Sequence, residues 1–76
     1  MLDIKKLVEL LDESGYEGDL EIDNNKSFKD NGIDSLDVFS WLSTIESDVG
    51  ISISDEDLPE IKTPNMLLDY INKKLK

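Results

Sequence analysis

Cysteine and histidine are both missing from this 76-residue chain, and all eight of its basic residues are lysine. Without cysteine there is no disulfide staple, no thiolate chemistry and no cysteine-ligated zinc site. Without histidine the usual general base near neutral pH and the commonest metal ligand are gone. A hydrolytic triad therefore has no base. Carboxylate pairs are plentiful, but a small helical domain offers no obvious cleft to hold two of them at working distance. Long apolar runs are also lacking, so no membrane insertion is expected, and the N-terminus has no signal-peptide pattern. Phosphate-cradling glycine patterns do not occur. The nearest EF-hand window opens at Asp23 with Asn25 and Ser27, but Phe28 stands where that loop needs glycine and Asp34 where it needs glutamate. These exclusions point away from an enzyme.

What the chain has in excess is acid. Asp and Glu number 18 against 8 lysines, a net charge of −10. That balance disfavours nucleic acid and anionic lipid as partners. A basic protein surface suits it better, because opposite potentials speed encounter. The acid is unevenly spread: from Asp30 to Ile61 there are nine acidic residues and no basic one. Such a run is either a solvated face or a docking surface for basic proteins. A soluble, cytoplasmic monomer is the expectation.

Length allows one domain over residues 1–76, and a chain this short buries only about 60% of its unfolded surface. The spacing predicts a helix over 3–13, with Asp3 as cap and Ile4, Leu7, Val8 and Leu11 as its inner face. Ser14-Gly15 ends it. Residues 15–34 form a long connection, with Leu20, Ile22, Phe28 and Ile33 as anchors and a single turn at Ser27–Asn31 stopped by Gly32. The second helix, 34–49, carries Val38, Trp41, Leu42, Ile45 and Val49 on one face and is closed by Gly50. Ile51 and Ile53 read as an extended linker with inward side chains. Ser54, Asp55, Glu56 and Asp57 resemble a helix start, but Pro59 restricts it to a short turn holding Leu58 and Ile61 inward. Thr63-Pro64 opens the last helix, whose inner face is Leu67, Leu68, Ile71 and Leu75, with Lys73, Lys74 and Lys76 at its C-terminus. The fold class is therefore all-α: a small four-helix bundle of three longer helices and one short one, without strands.

One residue stands out chemically. Ser35 sits at the mouth of the second helix, in the position of an N-cap whose hydroxyl accepts from an orphan backbone N–H. Asp34 and Asp37 bracket it, and Leu36 and Phe39 fall off the buried stripe beside it, where they face solvent or a partner. A helix N-terminus also favours negative charge, so a phosphate-linked group could be attached there.

Asp34-Ser35-Leu36-Asp37 resembles the attachment motif of acyl carrier proteins. The surroundings extend the likeness: Phe28-Lys29-Asp30-Asn31-Gly32-Ile33 before it, Ile45-Glu46 and Val49 after it, Ile51 to Asp57, and Thr63 to Ile71 with Asp69-Tyr70-Ile71-Asn72. The resemblance implies that Ser35 carries covalent 4′-phosphopantetheine, whose thiol holds acyl groups as thioesters for fatty-acid, polyketide or related synthesis. Asp34, Leu36 and Asp37 would meet the phosphopantetheinyl transferase. Phe39 and Glu46 would join the surface that docks on basic patches of acyl-transferring and condensing enzymes, and the apolar face of the bundle would shelter the acyl chain. The chain departs from the family at Ser40, where an acid is usual, at Ser43, where a large apolar residue is common, and at Pro59. Trp41 replaces a smaller aliphatic residue and is expected to fill part of the chain pocket, which would favour short or unusual cargo. Two other readings stand beside this one: an acidic helical adaptor in which Ser35 is only a cap, and a carrier of aminoacyl or peptidyl groups.

Overall fold

Three helices form where the apolar spacing and the capping residues agree. The computed structural model describes residues 2–54 and 56–75, so the expectations placed on Asp55 and Lys76 lie outside it. Helix α1 spans Ile4–Glu13, α2 spans Ser35–Val49 and α3 spans Pro64–Leu75. The side chain of Asp3 accepts from the Lys6 N–H at 2.8 Å to start α1. Thr63 does the same for α3, its Oγ1 accepting from the Met66 N–H at 3.1 Å, with Pro64 buried at the first helical position. Gly50 closes α2 in the left-handed region, φ 79°, and its N–H donates to the Glu46 carbonyl at 2.9 Å.

Helix α1 packs against both α2 and α3, while α2 and α3 make no close approach to each other. Being covered on two sides, α1 buries a wider face than its main stripe. Leu7, Leu10 and Leu11 are fully buried, whereas Ile4 and Val8 are only partly so. Leu10 thus joins a face where Ile4 and Val8 were expected to dominate. The core is completed by Phe28, Ile33, Trp41, Leu42, Ile45, Leu67 and Ile71. Burying each such side chain contributes about 1.5–3 kcal/mol before ordering entropy is counted. Trp41 is the hub: its Nε1–H donates to the Leu7 carbonyl at 2.9 Å, and its ring meets Phe28 edge-on at 5.9 Å between centroids.

Two expected core residues are outside. Leu75, at the last turn of α3, is 40% exposed, and Leu20 in the long connection is 38% exposed. At the latter a tight turn, Ile22 N–H to Leu20 carbonyl at 3.0 Å, brings Ile22 rather than Leu20 against the core.

The connections are held by polar groups rather than by regular structure. The Asn31 carboxamide accepts from the Asp23 N–H at 2.8 Å and donates to the Asp23 and Ser27 carbonyls, each at 3.0 Å. A 3-10 turn at Lys29–Asn31 follows, within the span where a single turn is expected. The Phe28 N–H then donates to the Lys62 carbonyl at 3.1 Å and the Asn65 N–H to the Asn24 carbonyl at 3.1 Å, joining the first connection to the second and to the start of α3. The short helix of the second connection is reduced to one 3-10 turn, Leu58–Glu60, because Pro59 removes an N–H and crowds the preceding turn. Tyr70 holds this turn to α3, its hydroxyl donating to Asp57 Oδ2 at 2.7 Å. Ile51 and Ile53 are half-buried, and no strand occurs among the described residues.

Trp41→Phe keeps the ring and loses the indole donor. It should lower unfolding stability by about 1–2 kcal/mol, read as a drop in the urea midpoint with the slope unchanged. Trp41→Ala should cost about 3–5 kcal/mol, enough to unfold much of a domain this small.

Candidate functional site

Ser35 is placed by the three residues before it. Gly32, at φ 79°, ends the 3-10 turn in a conformation that a side chain disfavours, and Ile33 is buried beneath it, its N–H bonded to the Phe28 carbonyl at 2.9 Å. Asp34 is then extended, φ −83° and ψ 177°, and serves as the N-cap of α2. Its Oδ1 accepts from the Asp37 N–H at 2.9 Å, while Asp37 Oδ2 accepts from the Asp34 N–H at 3.4 Å. This reciprocal pair is a capping box.

The N-cap expected at Ser35 is therefore one residue earlier, and Ser35 is the first residue of the helix. A carboxylate is as good a cap as a hydroxyl, and its charge adds a favourable interaction with the positive end of the helix. The consequence is chemical. Asp34 and Asp37 satisfy each other, and the exposed Ser35 hydroxyl makes no hydrogen bond among the described residues.

The surrounding surface is apolar in patches. Leu36 is 78% exposed and Phe39 64%. Ser40 and Ser43 are exposed on the same helix. Glu46 is half-buried, and its Oε2 accepts from the Ile53 N–H at 3.2 Å, fastening the second connection to α2.

Beside Ser35 opens a cavity of about 800 Å³. Its apolar wall is Phe28, Ile33, Val38, Phe39, Leu42, Leu58 and Ile61, and Ser27, Lys29, Asp34, Ser35 and Lys62 also line it. The volume lies within the range of about 300–1,000 Å³ common for small-molecule pockets. Trp41 is not part of this lining, contrary to the expectation that it fills the pocket. Its indole is drawn to the Leu7 carbonyl on α1, and Phe28 stands against it as the wall. The wall residues of the two connections were legible as core anchors. Their second role was not, because it depends on how the two connections meet against α2.

The family of phosphopantetheine attachment sites matches residues 5–71. The anthracycline acyl carrier protein DauA of Streptomyces sp. (strain C5) is 36% identical over 58 residues, which are 76% of this chain and 69% of that protein. The acyl carrier protein of Buchnera aphidicola subsp. Schizaphis graminum (strain Sg) is 44% identical over 54 residues, 70% of this chain and 68% of that protein. The solution structure of the 5-phenyl-3-oxo-pentyl actinorhodin acyl carrier protein from Streptomyces coelicolor superimposes with a TM-score of 0.84 at 37% identity, covering 97% of this chain and 91% of that one. This chain belongs to the acyl carrier protein family.

Members of that family carry covalent 4′-phosphopantetheine and are carriers, not enzymes. They work with phosphopantetheinyl transferases and acyl-handling enzymes. The arm supplies a thiol, which this cysteine-free chain lacks. The residues here fit it: an exposed, unbonded hydroxyl at a helix start, with an apolar cavity alongside. No helix among the described residues is long and apolar enough to cross a membrane.

The capping box separates two effects that neighbouring positions would otherwise confuse. Asp34→Ala should destabilise by about 1 kcal/mol, read by urea denaturation. Ser35→Ala should stay within about 0.5 kcal/mol of the parent in the same assay, since its hydroxyl holds nothing.

Proposed function

We propose that Ser35 is the tether of the 4′-phosphopantetheine arm, and that residues 1–76 act as one carrier domain presenting thioester-bound acyl groups to biosynthetic enzymes. The observation that carries this reading is the Ser35 hydroxyl, freed by the Asp34–Asp37 pair and opening beside an apolar cavity. A phosphodiester at this point would also sit where the α2 dipole favours negative charge. An adaptor using Ser35 only as a cap has less support, because Asp34 is the cap. The cavity is the proposed shelter for the acyl chain. The single turn Leu58–Glu60 is taken to stand for the fourth helix of the bundle and to form part of that shelter.

Relatives from anthracycline and actinorhodin systems, beside a plain acyl carrier protein, support cargo of the polyketide or fatty-acid type over aminoacyl or peptidyl cargo. The setting would be the cytoplasm. Partners would read the acidic start of α2 with basic patches, meeting Asp34, Asp37 and Glu46 by charge and Leu36 and Phe39 by apolar contact. Asp34, Asp37 and Glu46 have structural bonds to keep as well, so Leu36 and Phe39 are the freer contacts.

Incubation with coenzyme A and a broad-specificity transferase should add the mass of one phosphopantetheine per chain. Ser35→Ala should abolish the gain, and peptide mapping should place it at position 35. No gain, or a gain elsewhere, sinks the assignment. Affinity for a cognate acyl-handling enzyme should fall as salt rises from the millimolar range past 0.1 M, where screening acts beyond about 10 Å. An affinity indifferent to salt would argue against charge-led docking.

A further inference from the structure

The cavity beside Ser35 is lined by two lysines against one carboxylate, Asp34, in a molecule that is otherwise strongly negative. Residues 30–61 contain no basic residue, and the lysines at either end of that stretch, Lys29 and Lys62, both line the cavity. They are far apart in sequence. The Phe28 N–H to Lys62 carbonyl bond at 3.1 Å brings their backbones together. Lys6 pairs with Asp48 at 3.7 Å, Lys73 with Asp69 at 3.2 Å, and Lys74 lies over the Tyr70 ring, while Lys5 and Lys26, which do not line the cavity, have no such partner among the described residues. Among the described residues, neither Lys29 nor Lys62 has a carboxylate within 4.0 Å.

An alkyl chain in the apolar wall needs no cation. Two exposed lysines lining one cavity, against the single carboxylate of Asp34, leave a local excess of positive charge that an anion would meet favourably. Conversely, an anionic cargo approaching a chain of net charge −10 is repelled by the overall field unless the local sign is reversed where it enters. Lysine suits the rim, since its methylenes can lie along apolar surface while the ammonium stays in water. We propose that Lys29 and Lys62 are a specificity pair, and that this cavity takes an acyl chain bearing a carboxylate, the methylenes lying on Phe28, Val38, Leu42 and Leu58 and the carboxylate meeting the two lysines. This rests on the carrier reading of Ser35.

The test compares cargo of equal length with and without the acid. The protein is loaded with hexanoyl or adipoyl, and with octanoyl or suberoyl, on the pantetheine arm, and intact mass confirms each species. Thermal midpoints are then read for the parent, K29Q, K62Q and K29Q/K62Q, each also as the arm without cargo. In the parent, the acid-tipped chain of at least one pair should stabilise as much as its methyl-tipped match or more. In K29Q/K62Q the acid-tipped species should lose about 3–6 °C relative to that match, with each single variant between. High salt should shrink the difference in the parent.

Equal shifts for both tips in the double variant would overturn the proposal. So would a loss already complete in the cargo-free arm, which would assign the lysines to the phosphodiester instead. Failure of the chain to take any arm would overturn the carrier reading and this inference with it, and the mass spectrum separates that case from the others.

Discussion

The placement of α1 between α2 and α3 governs the rest of the molecule. Because the backbones of the two outer helices come close to α1 and not to each other, the connections supply part of the packing around the shared core. Phe28 and Ile33 of the first connection and Leu58 and Ile61 of the second meet Val38 and Leu42 of α2 around the cavity, which no described residue of α3 lines. Trp41 fixes this spacing. Its indole reaches the Leu7 carbonyl, so α2 is held to α1 by a directional bond as well as by buried area. A smaller residue at position 41 would leave either a void or a closer helix pair, and a closer pair would change the cavity.

The helices themselves were readable from spacing and caps. Asp3, Thr63-Pro64, Gly15 and Gly50 act where their chemistry predicts, since a cap bond and a left-handed glycine are local matters. Misreadings occurred where a tertiary fact decides. Leu10 is buried because α1 has two neighbours, which its own sequence does not show. Leu20 and Ile22 compete for one place, and a turn settles it for Ile22. Asp34 and Ser35 are both good caps, so composition leaves the boundary one residue uncertain. The direction of the Trp41 ring was out of reach for the same reason: a helical wheel gives the face, not the partner.

The shift of the cap from Ser35 to Asp34 alters how the site works. The motif residues had looked like a serine with charged handles on either side. In the fold those handles first hold the helix start, each carboxylate engaged with the other residue's N–H. Their outward oxygens remain available to a partner, so one pair of residues orders the loop and marks it electrostatically. A partner that drew Asp37 away from the Asp34 N–H would be working against the helix start, which favours contacts that use the free lone pairs.

The position of Ser35 at the first helical residue has a further consequence for an anionic link. The first N–H groups of a helix have no intrahelical acceptor, and the capping box occupies those of Asp34 and Asp37. Those of Ser35 and Leu36 remain at the helix mouth, where negative charge is favoured. A serine serving as the cap would have its hydroxyl turned back over these groups, and attaching anything to it would break a helix-starting bond. With the carboxylate of Asp34 doing that job, a bulky anion can be added at position 35 without unmaking the end of α2. The local negative charge of Asp34 and Asp37 opposes such an anion, but they are partly offset by the dipole and by exposure to water. The sequence order acid, serine, apolar, acid therefore keeps a hydroxyl exposed at a helix end while the end stays capped.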